Sequence, residues 1–172
     1  MAEELVIWVD ENENVLGSIP ISLANSDPKY LHLEVAIVIV DDNKRALLQK
    51  RAKTKKVAPG IWTIAAAGHI TYGDTSELSA HRELTEEMGI SVKKLHPIFK
   101  KKESLEHETH LIHWYLGKYQ GGKILVQDSE VETYAWVDQA EFEEFVASNN
   151  VSQGTQSVLK RFWGGEWDHL LK

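Results

Sequence analysis

The sequence of 172 residues contains no cysteine and no apolar run long enough to cross a membrane. The absence of cysteine excludes disulfides, thiolate zinc sites and cysteine nucleophiles, and it fits a reducing cytoplasm. A membrane-spanning helix needs about 18 consecutive apolar residues or more, and no segment approaches that length. The first residues, MAEELVIWVD, carry acids where a secretory signal has a basic region. We therefore expect a cytoplasmic protein that does not insert into a membrane.

Positive charge is also scarce. Lys and Arg number 19 against 26 Asp and Glu, which gives a formal net charge of −7. This balance argues against binding to nucleic acid polymers, whose affinity for proteins depends on neutralising phosphates. A small phosphorylated substrate remains compatible, provided that bound cations reverse the local field.

The length suits one ordinary domain, which we expect to span residues 1–172. The strands do not alternate strictly with helices, which favours a mixed sheet with helices packed on it. Apolar patterns predict a small hairpin within about residues 1–25, and a central strand at 33–40 that is apolar on both faces. Further strands are predicted at 46–51, 61–68, 91–100, 108–119 and 131–137, and helices at 75–88, 141–150 and 155–163.

The helix at 75–88 carries recognisable end signals and a crowded acidic face. Asp74-x-x-Glu77 has the form of a capping box, and Gly89 suits the position after the last turn. Towards its end, the helix places three glutamates, 83, 86 and 87, within an arc of roughly 100°.

One cation accompanies these three carboxylates. Arg82 can pair with Glu86, but a single guanidinium cannot neutralise Glu83 and Glu87 as well. Clustered oxygen ligands without cysteine suit a hard divalent cation, so we predict Mg²⁺ or Mn²⁺. From these residues alone, a solvated acidic face remains the alternative.

Residues 68–90, GHITYGDTSELSAHRELTEEMGI, resemble the box of the Nudix superfamily. That pattern is a glycine, five residues, an acid, seven residues, then Arg-Glu-apolar-x-Glu-Glu-x-Gly-apolar. The matching residues are Gly68, Asp74, Arg82, Glu83, Leu84, Glu86, Glu87, Gly89 and Ile90. Asp74 stands where the family usually has glutamate. The resemblance implies an α/β fold of the Nudix type, an α/β/α sandwich, and Mg²⁺-dependent hydrolysis of a diphosphate linked to another group.

The resemblance also assigns roles within the box. Glu83 and Glu87 would be the principal metal ligands, with Glu86 a ligand directly or through water. Arg82 would hold the glutamates in place, and the carbonyl of Ala67 would complete the coordination.

A basic loop at 52–60 precedes the strand that leads into the box. Residues 31–73 also resemble the isopentenyl-diphosphate isomerase branch of the superfamily, and that likeness makes Arg51 and Lys55 contacts of the substrate diphosphate. Trp62 opens the following strand and could line the substrate cleft. The alternatives are a solvated loop and a core tryptophan.

The isomerase branch implies further metal ligands outside the box. His32 and His69 would be ligands, as would Glu106 and Glu108 of a Glu-x-Glu strand. Equal parity along a strand places Glu106, Glu108 and His110 on one face, which continues into an apolar stripe. Glu130 and Glu132 are rival candidates, and we expect Glu108 rather than Glu130 to act as an additional catalytic carboxylate. Structural histidines and a frayed, solvated loop at 103–108 are the alternatives.

The isomerases carry a catalytic cysteine directly before the Gly-His pair, where this chain has Ala67. We therefore expect a Nudix hydrolase that cleaves a diphosphate linkage in a nucleoside diphosphate derivative or a related compound. Isomerase-like activity and a non-catalytic, ligand-sensing domain are the alternatives. The expected partner is a small phosphorylated substrate, and a homodimer is a further option because many relatives are dimers.

Overall fold

A computed structural model describes residues 3–172. This part of the chain forms an α/β fold of nine strands, four α-helices and one short 3₁₀ helix. The strands are β1 (Leu5–Val9), β2 (Val15–Pro20), β3 (Leu31–Val40), β4 (Ala46–Arg51), β5 (Trp62–Ile64), β6 (Ala66–His69), β7 (Leu95–Ser104), β8 (Thr109–Lys118) and β9 (Val131–Val137). The helices are α1 (Ile21–Ala24), α2 (Ser76–Met88), α3 (Phe142–Ser148) and α4 (Gln153–Trp163), and the 3₁₀ helix covers Asp168–Leu170.

The sheet is mixed and centred on β3. Strand β8 runs parallel to β3 along its whole length, from Leu31↔Thr109 to Val40↔Lys118. On the other edge of β3 lie β1, β6 and β4 in succession, all antiparallel. Strand β7 extends the sheet beyond β8, whereas β5 and β9 flank β4.

Helices cover both faces of this sheet. One core contains the inward face of α2 and the odd-numbered residues of β3, namely Leu33, Val35, Ile37 and Ile39 with Leu84 and Met88. The other core joins even-numbered residues of β3 to α3 and α4, namely Ala36, Val38, Val40, Phe142, Leu159 and Phe162. Alternate side chains of a strand point to opposite faces, so an apolar strand of both parities must be covered twice. This arrangement confirms the expected α/β/α sandwich.

Helix α2 begins one residue later than its sequence signals predict. Thr75 is the N-cap, and its side chain accepts a hydrogen bond from the backbone N–H of Leu78 at 3.2 Å. The predicted capping box at Asp74 is therefore wrong, since Asp74 instead accepts a hydrogen bond from Ser79 at 3.3 Å. Both residue types are good N-caps, so composition did not decide between two adjacent candidates.

Most predicted elements are present, with shifted bounds. The expected strand at 61–68 is two strands, because the chain bends at Ala65. The strand predicted at 91–100 occupies 95–104 and pairs with β8 as far as Ser104↔Thr109. The N-terminal hairpin is confirmed by the antiparallel pairing of β1 and β2. Among the helices of residues 3–172, none combines the length and apolar character needed to cross a membrane.

Gly89 tests how α2 is terminated. It has a φ of +65°, and a carbon added there would lie 2.8 Å from both Cβ and the carbonyl oxygen of Leu125. We expect Gly89→Ala to lower the free energy of unfolding by about 2–4 kcal/mol, the sum of left-handed strain and overpacking. Chemical denaturation of the two proteins measures the difference.

Gly121→Ala provides the matched control, since Gly121 has a φ of +86° but no atom within 4 Å of an added carbon. Gly121→Ala should lower the free energy of unfolding by the left-handed backbone strain alone, about 1–2 kcal/mol. Equal losses in the two variants would contradict the crowding by Leu125.

Candidate active site and a second cluster of metal-ligand side chains

The box glutamates occupy the end of α2 that faces the sheet. Glu87 is 5% exposed and the Glu83 side chain 13%, whereas the Glu86 side chain is 53% exposed. Gly68 of β6 explains the burial of Glu83, because a carbon added at this glycine would overlap the Glu83 carboxylate. A glycine at the start of the box therefore lets a carboxylate lie directly against the backbone of the sheet.

Arg82 joins the box helix to the end of β6. Its Nη1 lies 2.8 Å from Glu83 Oε1 and donates to Glu86 Oε2 at 3.2 Å. Its Nη2 donates to the carbonyl oxygen of His69 at 3.2 Å and to Thr71 Oγ1 at 3.0 Å. The planar guanidinium thus fixes the two carboxylates relative to the backbone that follows β6.

The pKa values of the Glu83 and Glu87 carboxyls lie well above the ordinary value for glutamate. Burial raises the pKa of Glu83 to about 7, although Arg82 opposes the shift. Burial likewise raises the pKa of Glu87 to about 8, against the hydrogen bond that Gln49 Nε2 donates to Glu87 Oε2. These carboxyls are oxygen donors whose charged form requires a compensating cation.

The basic loop lies beside Glu87. Arg51 lowers the pKa of Glu87 and Glu130 raises it, which places both charges within electrostatic range of that carboxyl. Arg51 donates from Nε and Nη2 to the carbonyl of Val57, at 3.3 and 3.2 Å. Lys55 forms an ion pair with Glu130. Arg51 and Glu130, the partner of Lys55, therefore act on the Glu87 carboxyl, and the role of Arg51 and Lys55 as diphosphate contacts stays a prediction.

Trp62 does not line this region. It is 9% exposed and packs edge-on against Phe145 of α3, with ring centroids 5.0 Å apart. It belongs to the core between the sheet and helices α3 and α4. The expectation that Trp62 borders the substrate cleft is corrected on this point, because strand parity turns its side chain away from α2.

A second cluster of candidate ligands surrounds Glu34 of β3. Glu34 Oε1 lies 3.6 Å from His32 Nε2, 3.4 Å from His69 Nε2 and 3.4 Å from His110 Nδ1. Two groups of side chains place candidate ligand atoms within 4.8 Å of one another. One group is His32, Glu34 and His69, and the other is His32, Glu108 and His110. We call these five residues the His/Glu cluster.

The cluster contains buried nitrogen atoms without hydrogen-bond partners. His32 Nδ1 is 3.2 Å from the carbonyl oxygen of Tyr30, an acceptor, so the ring donates there and leaves Nε2 with a free lone pair. His32 Nε2 and both ring nitrogens of His110 are buried and lack a hydrogen bond. His32 Nε2 held in this way fits a metal ion, since ligating histidines commonly donate from their other ring nitrogen to a carbonyl.

Charge within the cluster is distributed between Glu34 and His110. Burial disfavours the Glu34 carboxylate, but the imidazoles of His110 and His32 beside it outweigh burial and hold the pKa of Glu34 far below its ordinary value. Burial disfavours the His110 imidazolium, yet Glu34 raises the pKa of His110 to about 9. Burial lowers the pKa of His69. Burial and the neighbouring Glu34 raise the pKa of Glu108.

The His/Glu cluster and the box glutamates lie on opposite faces of the sheet. Gly68 faces Glu83 and α2, and the next residue of β6, His69, therefore points to the other face. His69 thus enters the cluster with its side chain, while its carbonyl accepts from Arg82. Glu108 belongs to the same cluster, away from the box. The sequence predicts one site that combines the box helix with distal ligands. The structure instead places these residues in two separate groups.

Glu106 and Ala67 are predicted ligands that do not belong to the His/Glu cluster. The side chain of Glu106 is 86% exposed in the β7–β8 turn and lies 3.7 Å from His107, outside the cluster. The strand that should have carried Glu106 begins only at Thr109. Ala67 lies in β6 beside Gly68, and its role as a carbonyl ligand stays a prediction.

Several site residues were missed from the sequence. Glu34 could have been predicted as a site residue, because it is the charged residue in the otherwise apolar run LEVAIVIV and a buried charge needs a partner. His110 was placed on the correct strand face, but its pairing with His32 depends on the parallel register of β3 and β8. Gln49 and Thr71 carried no signal, because their contacts with Glu87 and Arg82 depend on how α2 packs on the sheet.

Comparisons with known proteins agree with this description. A family model described as NUDIX domain matches residues 30–162. Isopentenyl-diphosphate Delta-isomerase 2 of Photorhabdus laumondii subsp. laumondii is 30% identical over 185 residues, which cover 98% of this chain and 99% of that protein. A Listeria monocytogenes protein named as an uncharacterized Nudix hydrolase is 36% identical over 84 residues, which cover 49% of this chain and 50% of that protein.

A solved structure shows the same fold at lower identity. The NUDIX domain of Shewanella oneidensis NrtR, complexed with ADP ribose, matches with a TM-score of 0.64 at 17% identity and covers 84% of this chain and 96% of that one. Together with the box on α2, the family match over residues 30–162 shows that the chain belongs to the Nudix family.

Proposed function

We propose that the protein is a Mg²⁺-dependent hydrolase that cleaves a diphosphate linkage in a nucleoside diphosphate derivative or a related compound. The observation that carries the proposal is the pair of carboxyls on the box helix, the buried Glu87 and the half-buried Glu83. When bound, a divalent cation lowers the pKa of water and neutralises charge on phosphoryl oxygens. Glu83 and Glu87 would hold it, with Glu86 at the exposed side.

The basic loop supports a diphosphate as the ligand. The charges of Arg51 and Glu130 act on the Glu87 carboxyl, and Lys55 is paired with Glu130. Both cations would bind the phosphoryl oxygens that the acidic helix alone would repel. In the structure Lys55 is paired with Glu130 and Arg51 with the carbonyl of Val57, so substrate would compete for both cations. The ADP ribose bound by the NrtR domain is a compound of the proposed class.

Isomerisation of isopentenyl diphosphate is the second candidate, because a relative over nearly the whole chain is named as such an isomerase. The His/Glu cluster also includes His32 and His69, which the isomerase resemblance predicted as ligands. The residue before the Gly-His pair, however, is Ala67, and its methyl group offers neither a nucleophile nor an exchangeable proton. We therefore place hydrolysis first.

We further propose that the His/Glu cluster binds a transition metal ion, distinct from the Mg²⁺ of the box. Its donors combine imidazoles and carboxylates, a set that suits Zn²⁺, Mn²⁺ or Co²⁺. His32 Nε2 and His110 offer buried nitrogens without hydrogen-bond partners, which supports the assignment. The box offers carboxylates alone, which suit Mg²⁺.

Glu87→Gln tests the hydrolase. Purified protein with Mg²⁺ would be assayed against nucleotide sugars, ADP ribose, dinucleoside polyphosphates, nucleoside triphosphates and isopentenyl diphosphate. We expect phosphorylated products from one class and a loss of turnover of about 100-fold or more in Glu87→Gln, which removes a charged ligand. Glu77→Gln makes the same change on the exposed first turn of α2 and should retain activity. Conversion of isopentenyl diphosphate, or full activity of Glu87→Gln, would reject the assignment.

Proton release tests the metal-binding role of the two buried carboxyls. With pKa values of about 7 for Glu83 and about 8 for Glu87, both groups are largely protonated at pH 6 and ionise by pH 9. Mg²⁺ must displace these protons, so its affinity should rise from pH 6 to 9 and binding should release protons near pH 7. Titration calorimetry in buffers of different ionisation enthalpy counts the protons. An affinity that is flat over this range, without proton release, would contradict the prediction.

Substitution of His32 tests the second metal. We expect Co²⁺ added to the metal-free protein to give visible absorption bands that His32→Ala reduces, with a loss of affinity of about tenfold or more. His107→Ala is the matched control, because the His107 side chain is 73% exposed and lies outside the cluster. An unchanged Co²⁺ spectrum in His32→Ala would show that the cluster is not the site.

A further inference from the structure

Arg82 reaches beyond the box glutamates to the segment that follows β6. The Nη2 atom that donates to Thr71 Oγ1 at 3.0 Å belongs to the guanidinium whose Nη1 holds Glu83 and Glu86. Thr71 is one of the unassigned positions of the box pattern, so the motif itself gives it no role. Its hydroxyl nevertheless supplies a side-chain acceptor to Arg82.

Chemistry fixes the direction of this contact. Arginine only donates, so the Thr71 hydroxyl must accept from Arg82 and keep its own proton for another acceptor. That acceptor is Glu4, whose Oε1 lies 2.7 Å from Thr71 Oγ1. Glu4, Thr71 and Arg82 therefore form a directed chain of hydrogen bonds that ends on the box carboxylates.

The backbone holds the outer end of this chain in place. Val6 and Thr71 form an antiparallel bridge. On either side, Tyr72 N–H donates to the carbonyl of Leu5 at 2.8 Å, and Ile7 N–H donates to the carbonyl of Ile70 at 3.2 Å. Strand β1 is thus paired along the segment that joins β6 to the box helix, and Glu4 precedes β1 directly.

The charges around Arg82 make such support necessary. Glu83, Glu86 and Asp74 lie 2.8, 3.2 and 3.9 Å from the guanidinium, and Glu4 follows behind Thr71. One cation among several carboxylates has more than one favourable position, so ion pairing alone does not fix its orientation. Neutral acceptors, the Thr71 hydroxyl and the His69 carbonyl, fix the Nη2 side.

We propose that Thr71 and Glu4 are positioning residues, which orient Arg82 and thereby the metal-binding carboxylates of the box. The N-terminal hairpin is then part of the site, although it contributes no ligand. This role rests on the proposed metal-dependent hydrolysis and concerns the same site.

Mg²⁺ affinity without substrate is the first readout, measured by titration calorimetry. Thr71→Val keeps the shape and the backbone bridge but removes the hydroxyl, and we expect a loss of affinity of about tenfold, as for other outer-shell partners. Thr71→Ser restores the hydroxyl and should restore affinity. Thr85→Val removes a hydroxyl from the exposed side of α2, where it bonds only local carbonyls, and should bind Mg²⁺ normally. Affinity of Thr71→Val within about twofold of the unmodified protein would overturn the proposal.

Substitutions of Glu4 separate positioning from ligation. Glu4→Gln keeps an acceptor for Thr71, so it should weaken Mg²⁺ binding less than Glu4→Ala does. Equal losses in the two variants would assign Glu4 as a metal ligand and overturn its positioning role. Thermal melting of the metal-free variants reports unfolding separately from metal affinity.

Turnover separates this proposal from the function on which it rests. In Thr71→Val the Mg²⁺ concentration for half-maximal activity should rise, and excess Mg²⁺ should recover most of kcat, which damage to folding would not allow. If the unmodified protein binds Mg²⁺ but hydrolyses no compound of the panel, the hydrolase is rejected and calorimetry still decides the positioning. If it hydrolyses a compound and Thr71→Val has a normal Mg²⁺ requirement, only the positioning is rejected.

Discussion

The ion pair between Arg82 and the box glutamates is the interaction on which the candidate active site depends. It holds two carboxylates of one helix, Glu83 and Glu86, and attaches them to the carbonyl of His69 at the end of β6. The arrangement is electrostatically incomplete, because burial raises the pKa of both Glu83 and Glu87. Because burial disfavours the charged form of both carboxyls, a bound cation would offset the cost of their ionisation.

Strand β6 lies between the box carboxylates on one face of the sheet and the His/Glu cluster on the other. Two adjacent residues, Gly68 and His69, serve opposite faces of the sheet, one by having no side chain and the other by carrying an imidazole. The same short segment therefore accommodates a box carboxylate on one face and a histidine-rich cluster on the other. His69 also supplies a carbonyl to Arg82, so this one residue contacts both groups.

The fold explains how a Nudix chain can resemble an isomerase without its cysteine. The family model and the isomerase relative both cover most of this chain, and the His/Glu cluster contains two histidines that the isomerase likeness predicts. Ala67 removes the reactive thiol while the box and the basic loop remain beside each other. Fold is shared across these activities, and the side chains of the site distinguish them.

The sequence by itself determined the family, the acidic helix and the covered central strand. These are local properties: a motif of fixed spacing, a helix stop at Gly89 and an apolar run of both parities. It also predicted Arg51 and Lys55 as diphosphate contacts, because the loop directly precedes the strand that leads into the box, and that role stays a prediction. It did not determine the partners of Glu34, the exposure of Glu106 or the burial of Trp62.

Only the tertiary structure decided those contacts, since they join residues far apart in the chain. The parallel register of β3 and β8 brings His32 to His110, the pairing of β1 with residues 70–72 brings Glu4 to Thr71, and strand parity turns Trp62 to the other core. A slip of one residue in any of these registers would exchange the faces, and no local sequence pattern specifies which partner a strand selects.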